Sequence, residues 1–350
     1  MRAAVYQGHG RIEVKTVPIP LIGRGELLIR VESCGICHTD LKKIEYDLLP
    51  PPRIYGHETA GVVAAVGESV RGFASGDRVI VFHHIPCGTC FYCERRLYAQ
   101  CPVYKRVGVT AGFEAAGGGF SQYVLAMDWI VERGIERIPD GVSFDQACWV
   151  EPVNTCLKAI QSIGVPPGDT VAVLGQGPIG LIFTMLAKRA GANVFATDTI
   201  DSRRALSQRL GASAYHPASS EFERAIKEAT SHRGADAVIL ATAAPGLVEQ
   251  AMRISRPGSK IALFAQTSAK ERIEFAGADV CVGERMLFGS YSADIDLQAE
   301  SAQLVFSGEL PLEELISHRL PLEQISAGIA LARQPGDGSL KVVIHPQELN

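Results

Sequence analysis

At 350 residues the chain is longer than one hydrophobic core usually grows, so two domains are expected. It is too apolar for disorder, at 47% hydrophobic residues, and 34 Lys and Arg against 38 Asp and Glu leave no basic surplus for nucleic acid. The opening MRAAVYQGHG has polar residues where a secretory leader needs an apolar stretch, and nowhere do about 18 apolar residues run together. A cytoplasmic protein with small-molecule partners and no membrane is expected.

Apolar runs at 2–7, 27–33, 61–66 and 78–82, broken by glycine at 23, 25, 61, 67, 72 and 76, predict a compact, mostly β domain over 1–150. Its loops carry six of the nine cysteines, at 34, 37, 87, 90, 93 and 101. Clustered thiols in a reducing compartment point to metal ligation rather than disulfides. From Val165 the pattern changes. Strands are predicted at 170–175, 193–198, 236–241 and 259–265, with helices at 178–190, 201–210, 220–230 and 246–254. Apolar strands separated by helices imply crossover units and a mainly parallel sheet, so the fold class is α/β, a β-rich domain plus a doubly wound one. Beyond 290 come helices at 294–307 and 322–333 and a β-branched run at 341–344; periodicity leaves open which domain this tail joins.

Gly175-Gln-Gly177-Pro178-Ile179-Gly180 follows a predicted strand and opens a helix. The first glycine suits a tight turn, the second lets backbone approach a pyrophosphate, and the third lets helix and strand pack closely. Asp198 ends the next strand, where a carboxylate accepts hydrogen bonds from an adenosine ribose and repels a 2′-phosphate. NAD is therefore expected over NADP, with Arg203 and Arg204 as the opposing signal.

Cys87, Cys90, Cys93 and Cys101 form a C-x2-C-x2-C-x7-C array. Four thiolates need a cation, and tetrahedral zinc takes four sulfurs with no position left for substrate, a structural site. An iron–sulfur cluster is the competitor; the last gap of seven and the lack of a second cysteine set argue against it. A second set is dispersed: Cys37, His57, Glu58 and Glu151. Mixed donors suit an open catalytic zinc site, although Cys34 and His57 could equally be buried core residues.

In order along the chain, CGICHTD, GHETAGVVAAVG with Val70 after it, GDRV, the cysteine array, GGFSQY and GQGPIG resemble the zinc-containing medium-chain alcohol dehydrogenase family, with its sorbitol and polyol dehydrogenase branch. The resemblance spans nearly the whole chain. It implies a GroES-like catalytic domain at 1–150 and 290–350 around a Rossmann-type NAD domain at 151–289. It also implies that Cys37, His57 and Glu151 hold a catalytic zinc, that Glu58 is a direct or alternate ligand, and that Asp40 orients the histidine. Thr39 matches the hydroxyl that takes the alcohol proton, while Lys42 stands where many relatives carry a relay histidine. His38 and Lys341 match positions near the cofactor phosphates, and Thr155 and Ile179 positions by the nicotinamide. Asp47, His83 and Glu114 fall where relatives line the substrate pocket. Polar walls favour a polyol or polar secondary alcohol, or its carbonyl product, over simple primary or secondary alcohols and aldehydes. A nicotinamide-binding sensor without catalysis is the reading from another class. A homodimer or homotetramer is expected, with a strand near 285–291 as the pairing edge.

Overall fold

The computed structural model describes residues 1–104, 117–265, 272–334, 336 and 338–348. They fall into two units, Met1–Asn154 with Ala293–Asn350, and Thr155–Ser292. In the first unit, strands β1 (Arg2–Gly8), β2 (Arg11–Thr16), β3 (Leu27–Gly35), β4 (Arg53–Ile54), β5 (Glu58–Val66), β6 (Arg78–Val81), β7 (Tyr123–Ala126) and β8 (Ile135–Arg137) come from the early chain. β15 (Ile316–Pro321) and β16 (Lys341–His345) come from the late chain. Burial alternates along the first seven residues of β3, as in a strand with one face on a core. The strand pairs antiparallel with β5, β7 and β16 in a sheet ordered β15-β16-β3-β5-β6-β8. Val343 faces Gly35 and Ile344 faces Cys34, so the tail that periodicity left open joins the first unit.

The second unit is a parallel sheet ordered β11-β10-β9-β12-β13-β14. Its strands are β9 (Thr170–Leu174), β10 (Asn193–Thr197), β11 (Ser213–Tyr215), β12 (Ala235–Leu240), β13 (Ser255–Leu263) and β14 (Met286–Gly289). All of β9 is buried, the continuous apolar run of a central strand covered on both faces. Helices Pro178–Arg189, Asp201–Arg209, Ser220–Ala229 and Leu247–Ile254 supply crossovers. Phe222, Ile226, Val248, Ala251 and Ile254 pack with Leu174, Val238 and Ile261. Each large side chain so buried contributes about 1.5–3 kcal/mol. Strand order reverses between β9 and β12, the place where a doubly wound sheet binds ligands at its carboxyl ends.

Two strands of the second unit depart from the sequence reading. β11 is three residues long and offers no periodicity to detect. β13 begins at Ser255 rather than 259: it runs through Pro257 and Gly258 as an irregularity, with Ala235 paired to Ser255 and Ala237 to Lys260. Among the described residues no helix is long and apolar enough to cross a membrane.

Candidate active site

Cys37 stands at the N-terminus of helix His38–Glu45, whose first turn carries Asp40. Asp40 is fully buried; its Oδ2 accepts the Cys37 backbone N–H at 3.2 Å, and its Oδ1 lies 3.0 Å from His57 Nδ1. With Nδ1 engaged by a carboxylate, the ring presents Nε2 as the nitrogen free for a metal. Glu58 opens β5 opposite Gly35 of β3. Cys37 Sγ, a His57 ring nitrogen and a Glu58 oxygen all lie within 4.8 Å of one another. A sulfur, a nitrogen and an oxygen converging in this way fit an open zinc site with one position left over.

The Glu58 carboxylate forms an ion pair with the Lys341 ammonium, which also donates to Ile36 O at 3.1 Å and lies 5.2 Å from the centroid of the Trp149 ring. Lys341 is 4% exposed, so the ammonium that sequence placed near cofactor phosphates is held inside the first unit. Burial alone would lower its pKa; the Glu58 carboxylate outweighs that and raises it. A Cβ on Gly35 would run into the Glu58 carboxylate and meet Lys341 Cε at 2.8 Å, which is why the CGICHTD segment has glycine there.

Glu151, second residue of helix Val150–Ile163, stays outside this donor cluster. Its Oε1 is 3.7 Å from His84 Nε2, and burial pushes its carboxyl up to about 7, against the pull of His57. Beside His84 lies His83, with ring centroids 4.0 Å apart, and the His83 ring is 5.5 Å from that of His57. His83 is fully buried, and neither of its ring nitrogens has a hydrogen-bond partner among the described residues. Burial, with His84 and His57 alongside, holds its pKa well below the ordinary value, so the ring is neutral.

Thr39 is half-buried and His38 exposed at the start of the Cys37 helix. Asp47, past the end of that helix, spends its carboxylate on the Tyr6 hydroxyl and on the His9 backbone N–H at 2.8 Å. Glu114 lies outside the described residues. Sequence reasoning missed Lys43: burial lowers its pKa while Asp40, Cys37 and Glu151 pull the other way, which places its ammonium among the site's acidic groups. The signal was available, since Lys43 is four residues beyond Thr39 and shares its helix face. Cys34 is fully buried 3.6 Å from the Thr59 hydroxyl, and burial raises its thiol, so it behaves as a small core residue.

The four sulfurs of Cys87, Cys90, Cys93 and Cys101 also lie within 4.8 Å of one another. Cys90 and Cys93 are 3.6 Å apart, and Cys101 Sγ accepts the Cys87 N–H at 3.4 Å. The Thr89 backbone N–H brings the Cys87 thiol down to about 6, while burial pushes Cys93 up to about 12. Four thiols so close ionise together only around a cation, and a tetrahedral zinc fits them.

In the second unit, Gly175 has φ +96°, and a Cβ there would meet Thr242 at 2.8 Å. Gly180 packs on the Gly175 carbonyl, whereas a Cβ on Gly177 would find Arg203 Nη1 at 3.7 Å as its nearest neighbour, so backbone at Gly177 is open to a ligand. The helix begins at Pro178, followed by Ile179, with no side-chain cap at Gly177; its free N–H groups suit a pyrophosphate. Asp198 is buried and ties the turn together, accepting the Gln176 N–H at 2.7 Å and the Ile200 N–H at 2.8 Å. Arg204 bonds the Asp198 carbonyl and pairs with Asp201. Thr155 is buried on helix Val150–Ile163.

Residues 23–137 match the model of the alcohol dehydrogenase GroES-like domain, and residues 178–307 that of the zinc-binding dehydrogenases. The chain is 30% identical to sorbitol dehydrogenase of Bacillus subtilis, over 99% of this chain and 97% of that one. It belongs to the zinc-containing medium-chain dehydrogenases. This dehydrogenase is also 32% identical to D-altritol 5-dehydrogenase of Agrobacterium fabrum, over 93% of this chain and 94% of that one. Among solved structures it is similar to a Sinorhizobium meliloti protein described as a zinc-binding dehydrogenase bound to NADP, at a TM-score of 0.89, 29% identity and 99% coverage of both chains. The dehydrogenase is thus an NAD(P)-dependent oxidoreductase of alcohols, with two metal-ligand clusters among the described residues.

Proposed function

We propose that this dehydrogenase oxidises a polyol or other polar secondary alcohol to the ketone with NAD, using Cys37, His57 and Glu58 as zinc ligands. The polar-substrate reading rests on His83, a fully buried neutral imidazole beside His57 whose ring nitrogens have no hydrogen-bond partner among the described residues. A buried polar group without a partner costs about 1–3 kcal/mol, which a substrate hydroxyl would recover and a hydrocarbon would not. Relatives named for sorbitol and D-altritol support the same class. When bound, zinc would draw charge from the substrate oxygen and NAD would accept the hydride.

The chain's own residues do the rest. The Thr39 hydroxyl accepts the alcohol proton and donates its own onward, Asp40 holds the His57 ring in one tautomer, and Lys341 fixes Glu58. Lys43, set among Asp40, Cys37 and Glu151, balances negative charge there. Glu151 stands beside His84, next to the ligand set rather than within it. The test is a panel of alcohols matched in size. The wild type should prefer the polyhydroxy members, and His83→Phe should shrink that preference about tenfold or more in kcat/KM. A wild type that favours unsubstituted alcohols, or an unchanged ratio in the variant, would sink the reading.

For the cofactor we propose NAD. Asp198 Oδ2 accepts the Gln176 N–H of the glycine turn and Oδ1 the Ile200 N–H, so the carboxylate sits beside the turn, where it would accept from a ribose and repel a 2′-phosphate, and Arg204 is committed to Asp198 O and Asp201. Arg203 lies against Gly177, on the diphosphate side. Steady-state kinetics should give the higher kcat/KM with NAD, and Asp198→Ala should narrow the gap. A wild-type preference for NADP would overturn this. Localisation in the cytoplasm and assembly as a homodimer or homotetramer belong to the same proposal. The assembly is supported by β14, the edge of its sheet among the described strands, and by Met286 and Tyr291, which stand at least half exposed beside it.

A further inference from the structure

We infer that His345 is a proton-operated latch that fastens strand β16 to the rest of the first unit. The ring closes β16, with Nε2 2.7 Å from Asp145 Oδ1 and Nδ1 3.0 Å from Glu348 Oε1. An ionised carboxylate only accepts hydrogen bonds. A neutral imidazole has one N–H and satisfies one of these two partners; the imidazolium satisfies both. Asp145 is the hub of the arrangement. It also accepts the Ser33 hydroxyl from β3 at 2.6 Å and Arg319 Nε from β15 at 2.6 Å, and it sits on the short helix Phe144–Ala147. Four elements therefore meet on one carboxylate.

Charge count points the same way. The groups around the ring are the Asp145 and Glu348 carboxylates and the Arg319 guanidinium on Asp145; Glu32, in the wall of the same cavity of about 250 Å³, is already paired with Arg30 at 2.7 Å. Two carboxylates and one guanidinium leave one negative charge, which a protonated His345 cancels. The hydrogen bond that His345 donates to the Asp145 carboxylate indeed holds the His345 pKa above its ordinary value. Burial works against Asp145, but His345, Ser33 and Arg319 outweigh it and bring its carboxyl down to about 2.

The direction of the switch follows. A raised histidine pKa gives stabilisation that is complete below about pH 6.5 and is lost as pH rises through the folded value. Protonating Asp145 opens the hub only near its own value of about 2. The latch is thus shut below about pH 6.5 and released as pH rises through the raised value of the folded state. What it releases matters to the site, because β16 starts at Lys341, the partner of Glu58, and pairs with the part of β3 that leads into Cys37.

The test uses the zinc-loaded enzyme. The His345 ring resonance, assigned by its loss in His345→Gln, should titrate with a midpoint above about 6.5, and Glu348→Gln should lower that midpoint. Hydrogen exchange of the β16 amides, corrected for intrinsic rate, should lose at least about threefold protection across the wild-type midpoint. In His345→Gln protection should be low and independent of pH. A wild-type midpoint at or below 6.5, a midpoint unmoved by Glu348→Gln, or pH-independent protection in the wild type overturns the latch. Should His345→Gln fail to fold, Glu348→Gln and the wild-type exchange profile carry the test alone.

Discussion

Replacing Cys37 with serine is expected to lower kcat/KM at least about a thousandfold and to take zinc from about two equivalents per chain to about one. Cys37 is the sulfur of the converging set and stands at a helix start stabilised by Asp40, so the substitution removes a donor while leaving the elements around it packed. A thousandfold corresponds to about 4 kcal/mol, within what a metal contributes to a developing charge. Glu58→Gln should lose the same equivalent, and Glu151→Gln should keep it while slowing turnover. The reverse pattern would return the ligand role to Glu151, the position that the family resemblance favours. Retention of both equivalents and of more than a tenth of the activity in Cys37→Ser would refute the site as drawn.

Cys90→Ser should act on stability instead. The lobe from Cys87 to Cys101 has a small core, in which Cys93, Cys101 and Tyr104 are buried with Tyr98 against them, while Phe91 and Leu97 are 61% and 51% exposed. Its two short 3-10 turns, Cys93–Arg95 and Tyr98–Gln100, have no periodic apolar face to pack. The metal is then the main thing that orders it, and structural zinc sites of this kind are worth about 10 kcal/mol in isolated peptides. One lost ligand should cost one zinc equivalent and lower the thermal midpoint by on the order of 10 °C. Calorimetry and metal analysis read both effects. An unchanged midpoint with the zinc gone would mean that the lobe folds on side-chain packing, against the four-thiol argument.

The parts of this molecule legible in its sequence are those that are local. The glycine turn with its strand and helix, and the four-cysteine array, each occupy a short stretch in which spacing and chemistry coincide. The second unit's strands showed as apolar runs, apart from β11, too short to carry a pattern, and the start of β13, masked by Pro257 and Gly258. The catalytic set resisted for the opposite reason. Whether Glu58 or Glu151 joins Cys37 and His57 depends on the register that sets Gly35 against Glu58, and on a lysine whose amino group reaches the Ile36 carbonyl across 305 residues of chain. His83 matched a pocket position by resemblance, but its lack of partners among the described residues exists only in three dimensions. Asp47 matched a pocket position by family resemblance, yet it bonds to Tyr6 and His9, which no spacing rule links to it.

The pairing of Lys341 with Glu58 also sets an order of events in biosynthesis. Glu58, Gly35, Cys37 and His57 emerge from the ribosome early, at about 5–20 residues per second, and nearly 300 residues separate them from the ammonium that neutralises Glu58. Until β16 is translated, closing the sheet around β3 and β5 would bury a carboxylate with no counter-charge, at a cost of several kcal/mol. A nascent chain that has completed its four-cysteine lobe is therefore expected to keep Glu58 open and hydrated until Lys341 arrives.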